Sequence, residues 1–201
     1  MALDGRVAII TGAGRGVGAA TAERLSRDGV RVVVNDLDAA EAEQTAASIR
    51  DSGGEAMAIG GDVTDSEFPE RLIAQALDGY GGIDIIVNNA GYIWNGAMHN
   101  HSDEQWQAML DVHASAPFRI LRAFAPWLRE TAKAEIAERG SARCRKVVNV
   151  SSVSGTTGAA TQIAYSAGKA AIVGITPTLR VGAISREAAQ DSTAAAVDGK
   201  V

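Results

Sequence analysis

The chain has 201 residues, a formal net charge of −5 and an isoelectric point near 5.2, with 46% hydrophobic and 21% charged residues. This length and composition indicate one globular domain with a buried core. The acidic balance argues against nucleic acid or an anionic membrane surface as the main partner, and no apolar run approaches the roughly 18 residues that a membrane span needs.

The N-terminus and the cysteine content favour a cytoplasmic protein. Asp4 and Arg6 interrupt the N-terminal segment, so we expect no signal peptide. Cys144 is the only cysteine of the sequence, which excludes an intramolecular disulfide and fits a reducing compartment. We predict no metal centre.

Short β-branched runs alternate along the chain with alanine-rich stretches of helical period. The predicted strands are 6–10, 31–35, 55–59, 83–88 and 146–150, and the predicted helices lie near 17–28, 39–50, 68–79, 103–130 and 162–175. The runs VVVN, IDIIVN and VVNV are nearly continuous in apolar residues, which is typical of strands covered on both faces. The pattern predicts an α/β fold, a Rossmann-type doubly wound parallel sheet in three αβα layers with right-handed crossovers.

A glycine-rich stretch, TGAGRGVG at 11–18, lies between the first strand and the first helix. In a βαβ unit, this placement brings backbone N–H groups and the positive end of the helix to a pyrophosphate. The loop therefore predicts dinucleotide binding. Spacing alone leaves two registers open, G-x-G-x-x-A over 14–19 and G-x-x-x-G-x-G over 12–18.

Asp36 stands at the end of the second strand, where the ribose of a dinucleotide would lie. A carboxylate there accepts hydrogen bonds from a 2′-hydroxyl and repels a 2′-phosphate, which favours NAD over NADP. Arg15 is the opposing observation, because a cation in the glycine loop could reach a phosphate. The alternative reading of Asp36 is a turn residue, since NDLD is good turn sequence. We expect NAD, with NADP less favoured.

Three further motifs follow the later strands: GDV at 61–63, NNAG at 88–91, and YSAGK at 165–169, with Ser152 thirteen residues before Tyr165. Together with the glycine loop, they resemble the classical short-chain dehydrogenase/reductase family from about residue 4 to 175, including its 3-oxoacyl reductase branch. The resemblance implies the glycine register of 12–18 and an adenine contact at Asp62. The cofactor contacts that we expect are Thr11, Gly12, Arg15, Gly16, Val17, Gly18, Asp36, Asp62, Val63, Asn89, Ala90, Gly91, Tyr165 and Lys169.

The chemistry of the last motif also follows from its residues. Tyr165 and Lys169 are four positions apart, so both side chains leave the same helix face. An ammonium beside a phenol favours the phenolate, so the tyrosine can pass a proton to or from a substrate oxygen while hydride moves to or from a nicotinamide. Ser152 follows the fifth strand, where its hydroxyl can bond the same oxygen.

The long fourth helix departs from the family at one position. The family usually carries an asparagine there that holds a water in the proton relay, and His113 stands in its place. A histidine can also hold a water and shuttle protons, so His113 is a catalytic candidate, with a structural role as the alternative. Trp94, His99 and His101 follow the fourth strand; they are either part of the substrate mouth or an ordinary surface loop.

The C-terminal part is the second departure. We expect Pro177 to interrupt the last helix, and no long β-branched run follows it. We predict a single dinucleotide-binding domain over 1–201 whose C-terminal part is shortened after about residue 176. A complete doubly wound sheet would add roughly fifty residues, with two strands and a lid. Residues 198–201 (DGKV) look like a turn that leads into a final strand.

Three hypotheses follow. The first is an NAD(H)-dependent oxidoreductase for a secondary alcohol or ketone, with a 3-oxoacyl thioester or a hydroxysteroid-like alcohol as substrate; an NADP-dependent 3-oxoacyl reductase is its variant. The second is a nucleotide-binding relative with little turnover. The third is a sugar-nucleotide epimerase or dehydratase, which shares Y-x-x-x-K but adds a substantial C-terminal domain. The resemblance also implies a homo-oligomer, a tetramer or a dimer.

Overall fold

The computed structural model describes residues 3–182, in which five parallel strands form one sheet in the order β3-β2-β1-β4-β5. The strands are β1 (Val7–Ile10), β2 (Arg31–Asp36), β3 (Ala56–Gly60), β4 (Ile85–Asn88) and β5 (Lys146–Asn149). The helices are α1 (Gly16–Arg27), α2 (Ala39–Asp51), α3 (Phe68–Tyr80), α4 (Asp103–Leu110), α5 (Ala116–Arg139), α6 (Ser154–Thr157) and α7 (Ile163–Gly182). The predicted α/β fold is confirmed, and every predicted strand end lies within two residues of the observed one.

The side chains of the strands alternate between two separate cores. Val7 and Ile9 of β1 belong to the core that α3, α5 and the start of α7 cover. Ala8 and Ile10 belong to the core that α1 and α2 cover. All four residues are fully buried, because β1 lies in the middle of the sheet with helices on both faces. The three-layer αβα arrangement follows from this double burial.

The edge strand β5 is less covered than its sequence predicts. Its apolar run was expected to be buried on both faces, yet Val148 is 48% exposed. Within residues 3–182, β5 pairs only with β4, as Val148 does with Val87, and it forms one edge of the sheet. Burial at an edge depends on what lies beside the strand, which the apolar run alone does not reveal.

The predicted helix over 103–130 is divided and is longer than expected. A π turn (Asp111–Ser115) separates α4 from α5, and the N–H of Ala116 donates to the carbonyl of Asp111, five residues earlier. Pro117 has no N–H to donate to the carbonyl of His113, four residues earlier, so the regular α-helical pattern is interrupted at this point. His113 lies in this π turn and is buried.

The expectation that Pro177 interrupts the last helix is wrong. The helix α7 runs through Pro177 to Gly182. A proline inside a helix removes the donor for the carbonyl four residues earlier, which here belongs to Val173. Val173 is 42% exposed, so water reaches this turn of the helix. The turn expected at 198–201 lies outside the described residues. Between residues 3 and 182, no helix combines the length and hydropathy of a membrane span.

Candidate active site

A groove of about 760 Å³ opens at the carboxyl ends of the strands. It lies where the strand order reverses between β1 and β4, which is where open α/β sheets bind ligands. Ten of the predicted cofactor contacts line it: Gly12, Arg15, Val17, Gly18, Asp36, Asp62, Val63, Asn89, Ala90 and Gly91.

Several lining residues were missed by the sequence reasoning. Asn35, Leu37, Gly61, Thr64 and Tyr92 each adjoin a predicted contact in the chain, so the motifs could have located them. The remaining three lie in or directly after α4 and carry no motif of their own: Ala108, Asp111 and Val112. Only the packing of α4 against the sheet brings these three to the groove.

The glycine loop packs too closely for larger side chains. Gly12 has a φ of +61°, and a Cβ added to it would lie 2.7 Å from the Cα of Ala90. A Cβ on Gly18 would collide with the carbonyl oxygen of Gly12. The helix α1 begins at Gly16, so its N-terminal end faces the groove. This arrangement fits a dinucleotide pyrophosphate and agrees with the register of 12–18.

Thr11 and Asn89 join the loops that follow β1 and β4. The buried Thr11 Oγ1 accepts hydrogen bonds from the backbone N–H groups of Asn89 at 3.1 Å and Ala90 at 3.0 Å. In return, Asn89 Nδ2 donates to the carbonyls of Thr11 and Gly12, each at 2.9 Å. Thr11 itself does not line the groove, so the structure places it as a support for the loop beneath the expected cofactor position.

Asp36 is held firmly at the end of β2. Its Oδ2 accepts a hydrogen bond from the N–H of Gly14 at 2.9 Å, and its Oδ1 accepts one from the N–H of Asp38 at 3.2 Å. Leu37, which follows it, is 71% exposed and offers no cation. Arg15 is exposed and lines the same groove directly before α1. The groove therefore carries both charges that the sequence predicted.

The segment after β3 forms another wall of the groove. Asp62 Oδ1 accepts hydrogen bonds from the N–H of Thr64 at 2.8 Å and from its hydroxyl at 2.7 Å. Arg119 of α5 donates to the carbonyl of Thr64 at 2.9 Å, which fixes the segment from behind. Val63 is buried beside them. These contacts hold Asp62 in place at the groove.

Tyr165 and Lys169 lie on α7, as the spacing predicts. Lys169 is buried, and its Nζ donates to the carbonyl of Val150 at 2.7 Å. The same Nζ lies 5.8 Å from the centroid of the Tyr165 ring. Burial lowers the pKa of the Lys169 ammonium. The structure thus places a buried, anchored cation beside a half-buried phenol.

Ser152 lies in the segment that connects β5 to α6. Its neighbour Ser151 donates through Oγ to the carbonyl of Lys169 at 2.8 Å, so this segment is fastened to α7. The Oγ of Ser152 accepts a hydrogen bond from the N–H of Ser154 at 3.2 Å. Ser152 therefore lies in a segment that is fastened to the helix carrying Tyr165 and Lys169.

His113 connects the groove with Tyr165. It is 3% exposed, and its Nε2 lies 2.8 Å from the carbonyl oxygen of Tyr92. Its ring stands edge-on to the ring of Tyr165, at 85° and 5.1 Å between centroids. Burial first, and the positive charge of Lys169 second, lower the pKa of His113 to about 4. The imidazole is therefore neutral at physiological pH.

The loop that carries Trp94 and the other histidines lies next to the segment leading into α7. The N–H of Gly96 donates to the carbonyl of Thr161 at 2.8 Å. Trp94 is 40% exposed and lies 6.3 Å from the ring of Tyr92. His99 and His101 follow in the same loop. Over residues 3–182, no cluster of three or more His, Cys, Asp or Glu side chains could hold a metal ion.

Comparisons with known proteins agree with this geometry. The family model described as short chain dehydrogenase matches residues 6–188. A hydroxyacyl-CoA dehydrogenase of Mycobacterium tuberculosis is 41% identical over 179 residues, which cover 87% of this chain and 55% of that protein. A 3-oxoacyl-[acyl-carrier-protein] reductase of Synechocystis is 34% identical over 186 residues, which cover 92% of this chain and 71% of that protein.

Two solved structures are similar as well. A metagenomic short-chain oxidoreductase in complex with NADP has a TM-score of 0.78 and 34% identity, over 90% of this chain and 79% of that one. A short-chain dehydrogenase/reductase from Burkholderia phymatum in complex with NAD has a TM-score of 0.80 and 30% identity, over 89% of this chain and 60% of that one. This chain thus spans a little over half to about four fifths of these relatives. The family model, the relatives and the sheet topology agree, and the chain belongs to the short-chain dehydrogenase/reductase family.

Proposed function

We propose that the protein is an NAD(H)-dependent oxidoreductase that interconverts a secondary alcohol and a ketone. The observation that carries the proposal is the pairing of Tyr165 with the buried Lys169, one turn apart on α7, while His113 bridges this helix to the dinucleotide groove. A nucleotide-binding protein without chemistry would not need a buried ammonium anchored beside a phenol.

Each residue has a separate task in ketone reduction. A bound nicotinamide supplies the hydride for the carbonyl carbon. The hydroxyl of Tyr165 gives its proton to the carbonyl oxygen, which completes the alcohol, and the reverse direction returns the proton to the phenolate. Lys169, held 2.7 Å from the Val150 carbonyl, stabilises that phenolate by its positive charge. Ser152 orients the substrate oxygen through its hydroxyl.

NAD is the preferred cofactor in this proposal. Asp36 is fixed by the N–H groups of Gly14 and Asp38, so its negative charge cannot easily turn away from a 2′-phosphate. Arg15 supports the alternative, NADP, because it is exposed at the same groove. We expect the fixed carboxylate to dominate, since the long arginine side chain can reach solvent on its own.

A 3-oxoacyl thioester or a hydroxysteroid-like alcohol is the proposed substrate. The two relatives described above bear names with hydroxyacyl-CoA and 3-oxoacyl groups. Ile93 and Trp94 are exposed apolar side chains in the loop that contacts Thr161, just before α7. Such side chains favour a substrate with apolar surface beside its reacting oxygen.

We further propose a homo-oligomer, as a dimer or a tetramer. Phe118 of α5 is 53% exposed and Trp106 of α4 is 38% exposed. Large apolar side chains on neighbouring helices are typical of surfaces between subunits. Light scattering coupled to size exclusion tests this proposal, and a monomer at micromolar concentration would contradict it.

The test of the function is a turnover assay with both cofactors. NADH and NADPH are offered at equal concentration with a panel of ketones, including acetoacetyl-CoA and 3-oxosteroids. The proposal expects oxidation of NADH at a rate at least tenfold above that of NADPH. Binding of either cofactor without turnover across the panel would contradict the enzymatic proposal, and a preference for NADPH would contradict the role of Asp36.

A further inference from the structure

His113 occupies the junction of three parts of the structure. It lies in the π turn between α4 and α5. It bonds to the backbone of Tyr92, which lines the groove after β4. Its ring also contacts the ring of Tyr165 on α7. Through these two contacts, His113 joins the loop after β4 to the Tyr165 ring.

The fit around the imidazole is close on two sides. A Cβ added to Gly91 would lie 2.8 Å from His113 Nδ1 and would collide with Cε1. A Cβ added to Gly168 would lie 2.9 Å from the Cβ of His113. The histidine therefore packs closely between the loop after β4 and the helix that carries Tyr165.

We propose that His113 is a positioning residue, whose Nε2–H bond to the Tyr92 carbonyl ties the loop after β4 to α7 and so holds Tyr165 in one orientation. This inference rests on the proposed function only in so far as Tyr165 is the catalytic proton donor. It assigns a role to a position where the family usually carries a different side chain.

The tautomer follows from the hydrogen bond. A carbonyl oxygen can only accept, so Nε2 carries the hydrogen and Nδ1 holds a lone pair. Nδ1 is buried and has no hydrogen-bond partner within residues 3–182. A proton added there would feel the positive charge of the Lys169 ammonium, and the Tyr165 ring stands edge-on to the imidazole. The arrangement suits a fixed neutral ring and does not suit a proton carrier at neutral pH.

Two variants separate the hydrogen bond from the shape of the ring. His113→Phe keeps a planar ring of similar size and loses the donor. His113→Asn loses the ring and keeps an amide N–H that can donate to the Tyr92 carbonyl. If the hydrogen bond positions Tyr165, the asparagine variant resembles the wild type and the phenylalanine variant does not.

The three tyrosines of the sequence provide the readout. With ¹³C-labelled tyrosine, Tyr92 and Tyr165 report on the two sides of His113, and Tyr80, at the end of α3, reports on the rest of the fold. Ring substitution moves resonance positions by itself, so the number and width of the resonances are compared. We expect single narrow resonances in the wild type and in His113→Asn, and broad or multiple ones for Tyr92 and Tyr165 in His113→Phe.

Other outcomes overturn the inference. Narrow Tyr92 and Tyr165 resonances in His113→Phe would mean that the bond positions nothing. Broadening in both variants would mean that the shape of the ring acts instead of the hydrogen bond. The affinity for NADH should weaken about 3- to 10-fold in His113→Phe, because the loss of the bond to Tyr92 costs the free energy of one hydrogen bond. In His113→Asn it should stay within about twofold of the wild type.

Broadening of the Tyr80 resonance would report that His113→Phe does not fold. In that case a measurement on the wild type tests the inference. With ¹⁵N-labelled histidine, the His113 signal should show a protonated Nε2 and a bare Nδ1 from pH 7 to pH 5. A protonated Nδ1 would overturn the inference. None of the resonance measurements needs a cofactor, so failure of NADH to bind would refute the proposed function and leave this test intact.

Discussion

Asp36 and Arg15 bring opposite charges to one groove, and the choice of cofactor depends on which charge meets the ribose. Replacing Asp36 by Asn keeps one acceptor for the Gly14 N–H and removes the charge. We expect NADH binding to weaken about tenfold and NADPH binding to tighten about tenfold, because the repulsion of the 2′-phosphate is lost. Fluorescence titration of both cofactors measures this.

The matched control is Asp51→Asn, which removes the same charge at the far end of α2, away from the groove. It should leave both affinities within about twofold. Equal shifts in the two variants would mean that net charge, and not the position of Asp36, sets the preference.

Gly18 and Gly174 show how the same substitution has opposite effects in two helices. At Gly18, alanine would collide with the Gly12 carbonyl and push the loop out of place. We expect a loss of about 2 kcal/mol of stability, with NADH binding weakened more than tenfold. At the exposed Gly174 of α7, a Cβ meets nothing within 4 Å among the described residues, so alanine should stabilise the helix by up to about 1 kcal/mol.

Urea unfolding of both alanine variants measures the two free energies. Destabilisation of similar size at both positions would show that helix α7 tolerates no change at Gly174. A stable Gly18→Ala variant with unchanged NADH affinity would contradict the close packing of the loop.

The pair Thr11 and Asn89 fastens the end of β1 to the end of β4. Thr11→Val keeps the shape of the side chain and leaves the N–H groups of Asn89 and Ala90 without their acceptor. We expect a loss of about 2 kcal/mol in the free energy of unfolding. Thr11→Ser keeps the hydroxyl and should lose only about 1 kcal/mol, for the missing methyl group. If serine proved no better than valine, the hydroxyl would not be the stabilising group.

The elements also show where sequence reasoning succeeds and where it stops. The strands were located because buried parallel strands are continuous apolar runs, and the glycine loop because its placement after β1 is local. The π turn was missed, since it results from Pro117 and from packing that buries His113. Thr11 stays a predicted cofactor contact, and its bonds to the backbone of Asn89 and Ala90 could not be predicted, because only the fold brings the ends of β1 and β4 together.

The length of α7 and the exposure of β5 were mispredicted for a related reason. Pro177 normally ends a helix, but a partly exposed turn tolerates the missing donor. The apolar run of β5 gave no sign that Val148 lies at an edge of the described sheet. Residue type predicts local structure well, whereas solvent access at a given position depends on the neighbours in the fold.

The buried His113 makes the free energy of unfolding of the protein depend on pH. The pKa of His113 is about 4 in the folded protein and near 6.5 when unfolded. The unfolded chain therefore binds the proton more tightly, and stability is lost as the pH falls below about 6.5. Between pH 7 and pH 5, this loss amounts to about 2 kcal/mol.

Urea unfolding at both pH values checks the effect, with His113→Asn as the comparison. The other two histidines, His99 and His101, are present in both proteins and cancel. The variant should lose about 2 kcal/mol less than the wild type on acidification. Identical losses would mean that His113 is not the group that titrates.

If Tyr165 donates the proton in hydride transfer, removal of its hydroxyl must slow turnover. The rate of NADH oxidation with a reducible ketone, at saturating NADH, is measured for the wild type, Tyr165→Phe and the control Tyr80→Phe, whose hydroxyl lies at the end of α3. We expect kcat to fall about 10² to 10⁴-fold in Tyr165→Phe, with NADH affinity within about twofold of the wild type and Tyr80→Phe unchanged. Turnover in Tyr165→Phe at the wild-type rate would contradict this role of Tyr165.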